Sequence, residues 1–107
     1  MVEINPLEAS ELIESNAGSS DFTILDVRSP DEFAAGHIQG ARLEPGGAGF
    51  AAALAKYDKD HTYLVYCYSG GRSGNAARQM ENQGFGKVFN LAGGIAAWQN
   101  SGLPIER

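Results

Sequence analysis

Cysteine is almost absent. The 107 residues hold one, Cys67, so no disulfide can form within the chain, and a reducing cytoplasm is the expected setting. No charged-then-apolar leader opens the sequence and no apolar run is long enough to span a bilayer, which argues against a membrane protein. Basic residues are also few. The eight Lys and Arg are scattered against 13 acids, giving a net charge of −5 and a pI near 4.8, so the electrostatic footprint of a nucleic-acid binder is missing and the acidity serves solubility. Two histidines and one cysteine without ligand spacing give no metal site. Internal repeats are lacking too, and 43% hydrophobic content over this length suits one domain, residues 1–107, with one modest core.

What is present concentrates around the cysteine. The run Tyr63-Leu64-Val65-Tyr66 is apolar and β-type; it stops at Cys67, and Tyr68-Ser69-Gly70-Gly71-Arg72 leads at once into a helix-like segment from about Ser73 to Gln83, with Gly84 as its stop. A Gly-rich turn between strand and helix can aim successive backbone N–H groups at one point, where the helix N-terminus adds partial positive charge. A thiol there loses its proton more readily, and the thiolate is the nucleophile. The alternative is a buried apolar filler, the common fate of a lone cysteine. Position argues for the functional reading, because open α/β sheets place their ligands at the carboxyl ends of strands.

Elsewhere the chain alternates strand and helix signals. Val2 to Ile4 reads as a short edge strand. Asn5-Pro6-Leu7-Glu8 supplies a cap, a proline in the first helical position and a capping-box acid, predicting a helix from Pro6 to about Ser15 that buries Leu7, Leu12 and Ile13. Phe22 to Val27 reads as a strand covered on both faces. Ser29-Pro30-Asp31-Glu32 repeats the start signal and predicts a short helix over Pro30 to Ala35, ended by Gly36. Ala41 to Leu43 is a brief strand and Glu44 to Gly49 a loop. A helix over Phe50 to Tyr57 has Phe50, Leu54 and Tyr57 on one side, Lys87 to Leu91 forms a last strand, and Ile95 to Asn100 a last helix with Trp98 in the core. The fold class is therefore α/β, compact, with a mainly parallel sheet of about five strands and helices on both faces.

Asp26, Arg28 and Glu32 read as a partly buried structural ion-pair group at a strand end, since no spacing puts them beside Cys67. His37, between Gly36 and Ile38, reads as a hydrogen-bonded turn residue in preference to the base of a Cys–His pair, and His61 as solvated loop.

Three segments resemble rhodanese-like domains. Ile24-Leu25-Asp26-Val27-Arg28-Ser29-Pro30-Asp31-Glu32-Phe33 with Gly36-His37-Ile38-Gln39-Gly40-Ala41 is similar to the first signature, Cys67 to Ser73 to the catalytic loop, and Leu91-Ala92-Gly93-Gly94-Ile95-Ala96-Ala97-Trp98 to the C-terminal signature. They occur in the family's order across nearly the whole chain, with Gln39 where many relatives have proline. The resemblance implies a thiosulfate sulfurtransferase in which Cys67 carries sulfur as a persulfide. The amides of Tyr68, Ser69, Gly70, Gly71, Arg72 and Ser73 would cradle it, Ser69 and Ser73 would be hydroxyl donors, and Arg72 would either meet substrate or brace the loop.

Related phosphatases and arsenate reductases resemble this loop with one residue more, sized for a tetrahedral oxyanion, whereas Cys67 to Arg72 counts six. The implied reaction is ping-pong: a sulfur-donor anion such as thiosulfate loads Cys67, and cyanide or a thiol, a protein thiol included, unloads it. No metal and no organic cofactor is needed. Two alternatives stand beside it: a non-catalytic regulatory or docking module, and a cysteine-based phosphatase or arsenate reductase.

Overall fold

Local capping chemistry sets the first two helices. In the computed structural model, which describes residues 1–107, strand β1 (Val2–Ile4) leads into α1 (Pro6–Ser15), and β2 (Phe22–Asp26) into α2 (Pro30–Ala35). Asn5 and Ser29 each accept the backbone N–H of the acid three residues on, and Glu8 and Glu32 each accept the cap residue's own N–H, so both capping boxes close. β3 (Arg42–Leu43), α3 (Phe50–Ala53), β4 (Thr62–Tyr66), α4 (Gly71–Asn82), β5 (Lys87–Leu91) and α5 (Gly94–Asn100) follow. The five strands form one sheet in the order β1-β5-β4-β2-β3, parallel at every pairing.

β4 is central, and its alternation divides the core. Tyr63 and Val65 point to the face covered by α3 and α4, where Leu25, Phe50, Leu54, Ala76, Ala77 and Met80 are buried with them. Leu64 and Tyr66 point to the opposite face, with Ala9 of α1 and Ile95 and Trp98 of α5. Cys67 is the next residue of the first set, so the alternation itself turns its side chain toward the start of α4.

Several sequence expectations change in detail. Leu7 is 67% exposed and Ala9 is buried in its place. Ala9, Leu12 and Ile13 share one stripe of α1, whereas Leu7 sits about 200° around the helix from Ala9. The helix expected over Phe50 to Tyr57 is α3 followed by a 3-10 turn over Leu54–Lys56, closed by the Tyr57 N–H on the Leu54 carbonyl; Phe50, Leu54 and Tyr57 nevertheless share the buried side. α4 begins at Gly71, two residues before the expected Ser73, because Ser73 uses its hydroxyl inside the first turn and does not cap it. No helix is long and apolar enough to cross a membrane.

Candidate active site

The loop from Cys67 to Gly70 joins the end of β4 to the N-terminus of the 12-residue helix α4. Gly70 has φ of 109°, a left-handed conformation that favours glycine, and this turns its N–H back onto the Cys67 sulfur at 3.0 Å. The Ser73 hydroxyl reaches the same sulfur at 3.3 Å. Cys67 is 1% exposed, with Val27, Val65 and Ala76 in the apolar cluster around it and hydrogen-bond donors on the loop side. Burial pushes the thiol up, but the Ser73 hydroxyl and the amides of Ser73, Gly70 and Ser69 outweigh it and hold the thiol below its ordinary value. The cluster is therefore built to hold a sulfur anion.

The six loop residues behave differently from one another. Gly70 donates to the sulfur through its amide and Ser73 through its hydroxyl, and the Ser69 amide favours the charged form of the thiol. The Tyr68 side chain is 55% exposed on the rim, and its carbonyl faces α5. Gly71 opens α4. Arg72 turns outward, its guanidinium forked onto Glu32 at 2.9 and 3.1 Å, so it braces the loop against α2.

That fork corrects the reading of Glu32, which is not part of the buried ion-pair group and does lie beside the cysteine loop. Arg72 and the Ser29 N–H hold its carboxyl down to about 2. Asp26 and Arg28 do form the expected buried pair: the guanidinium grips both carboxylate oxygens and the Gly36 carbonyl, while Tyr66 donates to Asp26 at 2.7 Å. His37 stacks on Phe33 at 3.8 Å, bonds its carbonyl through Nδ1, and takes no part in the cysteine cluster. His61 lies by Asp21 and Asp58 in a loop, as expected.

Two recesses flank the Arg72–Glu32 fork. One of about 480 Å³ is lined by Arg28, Pro30, Gly46, Arg72 and Asn75, and the other, of about 300 Å³, by Arg28, Glu32, Tyr68, Ile105 and Arg107. Neither is lined by Cys67, whose sulfur lies beneath the loop.

Two supports of the loop escaped the sequence reading. The N–H groups of Ile95 and Ala96 bond the carbonyls of Cys67 and Tyr68 at 2.9 and 3.1 Å, an approach open only because Gly94 has no Cβ. The Gly93-Gly94 pair within the C-terminal signature is the sequence signal for this close approach. Asn90, 1% exposed at the end of β5, points its amide nitrogen at the Gly70 carbonyl. A polar residue inside an apolar strand was the sign available for it.

The model of the rhodanese-like domain matches residues 6–101. The thiosulfate sulfurtransferase GlpE of Actinobacillus pleuropneumoniae serotype 7 is 38% identical over 104 residues, 97% of this chain and 92% of the relative. Among solved structures, the rhodanese-like domain of the Anabaena sp. protein Alr3790 superposes with a TM-score of 0.84 at 30% identity, covering 99% of this chain and 79% of the other. RPA3614 of Rhodopseudomonas palustris, a protein of unknown function and possible tyrosine phosphatase, gives 0.80 at 29% identity, covering 99% and 85%. The matches run from α1 to the end of α5 and include every element that shapes the cysteine loop, so the chain belongs to the family of rhodanese-like domains.

Proposed function

We propose that residues 1–107 act as one rhodanese-type module in a reducing compartment, moving sulfane sulfur from thiosulfate or a similar anion to cyanide or a thiol. The observation that carries this reading is the pair of donors on one buried sulfur, the Gly70 amide at 3.0 Å and the Ser73 hydroxyl at 3.3 Å, with the amides of Ser69 and Ser73 adding to the pull on its charged form. The Cys67 thiolate attacks the outer sulfur of thiosulfate, the S–S bond of the donor breaks, and sulfite leaves with the electron pair. The outer sulfur of the resulting Cys67 persulfide is then attacked by the acceptor, giving thiocyanate from cyanide, or a new persulfide from a thiol, and returning the Cys67 thiolate. Loading moves the negative charge one S–S bond, about 2 Å, outward from Sγ, so the terminal sulfur is served by those loop amides that face this outer position. Catalytic work falls to Cys67, sulfur binding to Ser69, Gly70 and Ser73, and shaping of the loop to Tyr68, Gly71 and Arg72. Neither a metal nor an organic cofactor enters the scheme.

Incubation with thiosulfate followed by intact-mass measurement tests this. The wild type gains one sulfur atom on Cys67, cyanide removes it, and Cys67→Ser gains none; a wild type that stays unloaded refutes the proposal. The likeness to RPA3614 favours a second reading, a phosphatase. Against it stands the six-residue count of Cys67 to Arg72 and a guanidinium committed to Glu32 and not free for an oxyanion. Hydrolysis of an aryl phosphate without sulfur transfer would establish it.

A further inference from the structure

The Ser73 hydroxyl has one proton and two acceptors: the Cys67 sulfur at 3.3 Å and the Gly70 carbonyl at 3.2 Å. It cannot serve both at once. The Gly70 carbonyl also accepts the Gly74 N–H at 3.0 Å, as the first bond of α4, and the Asn90 amide at 3.4 Å. Asn90 is 1% exposed, and its Nδ2 is shared between Gly70 and the Glu3 carboxylate on β1. Because both neighbours are acceptors, the amide nitrogen faces them, which leaves Oδ1 buried without a partner. An orphaned buried oxygen is costly, so the amide is held in this orientation by what its nitrogen does.

We propose that Asn90 is a positioning residue for the sulfur site: its amide donates to the Gly70 carbonyl and so frees the Ser73 hydroxyl proton for Cys67. With the sulfur protonated, Ser73 serves the carbonyl. When the sulfur becomes an anion the hydroxyl rotates to it, and Asn90 supplies the donor the carbonyl has lost. No atom is transferred; only a hydroxyl rotor turns. Glu3, beside Asn90 across the β1–β5 pairing, orients the amide from its other side. This inference deepens the reading of Cys67 as the sulfur carrier and rests on it.

The test is a double-mutant cycle read on the titration of Cys67, the one thiol in the chain. The ultraviolet absorbance of the thiolate is followed against pH in wild type, Asn90→Leu, Ser73→Ala and the double variant, each referenced to its Cys67→Ser counterpart. Asn90→Leu should raise the midpoint by about one pH unit, roughly a tenfold loss of thiolate near neutrality, while Ser73 is present. In the Ser73→Ala background the same change should shift it by no more than about a tenth of that. An unchanged midpoint in Asn90→Leu overturns the proposal. An equal rise in both backgrounds does so too, since it would mean that the loop had only loosened. If leucine does not fit, Asn90→Val, β-branched like the neighbouring strand residue Val88, carries the same cycle. Thiosulfate loading of the wild type is scored separately: loading without coupling rejects the role of Asn90 alone, and coupling without loading rejects the sulfur-carrier reading alone.

Discussion

Replacing Gly94 by alanine isolates the contact that holds the cysteine loop from behind. Gly94 has φ of +61°, and a Cβ there would lie 2.5 Å from the Cys67 carbonyl oxygen and overlap the Tyr68 carbonyl. The left-handed backbone alone costs an alanine about 1–2 kcal/mol. Relief of the overlap requires α5 to back away from the loop, which breaks the Ile95 and Ala96 bonds to those two carbonyls, each worth about 0.5–1.5 kcal/mol net. The sum, about 2–5 kcal/mol, is a large part of the stability of a domain this size and corresponds to a fall in melting temperature of about 8–20 °C. Gly86 is the control: its φ is not left-handed and nothing lies within 4 Å of an added Cβ, so Gly86→Ala should melt within about 3 °C of the wild type. The assay is thermal unfolding by circular dichroism, with the Cys67 titration run on the same samples at low temperature. Gly94→Ala melting beside the control, with an unshifted thiol midpoint, would refute the claim that α5 props the loop.

Three further outcomes follow from the same geometry. Asp26→Ala leaves the Arg28 guanidinium buried without its carboxylate and strips a partner from Tyr66, so denaturant unfolding should show a loss of about 3–5 kcal/mol; a loss under 1 would mean the pair is not the anchor described. Glu32→Gln removes the charge from an exposed fork while its remaining amide oxygen still accepts the Ser29 N–H of the capping box, and should cost only about 1 kcal/mol at neutral pH. Because the Glu32 carboxyl is held down to about 2, its contribution is whole above about pH 4.5 and fades as pH falls toward 2, so wild type and Glu32→Gln should converge there in acid unfolding. The sign for Cys67 is the same in kind. Its folded value lies below its unfolded value, so the cradle stabilises the fold fully above about pH 8.5 and loses that contribution as pH falls through the folded value; Cys67→Ser should close the gap to wild type over that range.

Features encoded by neighbouring residues were legible in the sequence. Asn5-Pro6 with Glu8, and Ser29-Pro30 with Glu32, marked the starts of α1 and α2 at Pro6 and Pro30, because a capping box is complete within four positions. β2, β4 and β5 were readable from apolar β-rich runs covered on both faces, and Cys67 from its place where one of them ends. Leu7 misled because residue type was weighed above helical phase: at about 100° per residue it lies about 140° around the helix from Leu12, off the stripe that Leu12 and Ile13 share. The long-range contacts were not legible. Arg72 meets Glu32 from 40 residues away and Asn90 meets Gly70 from 20; each pair is brought together by strand order, which no local pattern contains. The start of α4 was misplaced for a related reason: Ser73 has the side chain of a helix cap, and its hydroxyl is drawn to a sulfur that only the folded loop puts beside it.

The ionisation of Cys67 is the quantity on which the whole account turns, and one titration reads it. The difference in thiolate absorbance between the wild type and Cys67→Ser, followed across pH, should rise at a midpoint clearly below the ordinary cysteine value of about 8.5. A midpoint at or above that value would show that the apolar neighbours of Cys67 govern its sulfur and that the surrounding amides and the Ser73 hydroxyl do not.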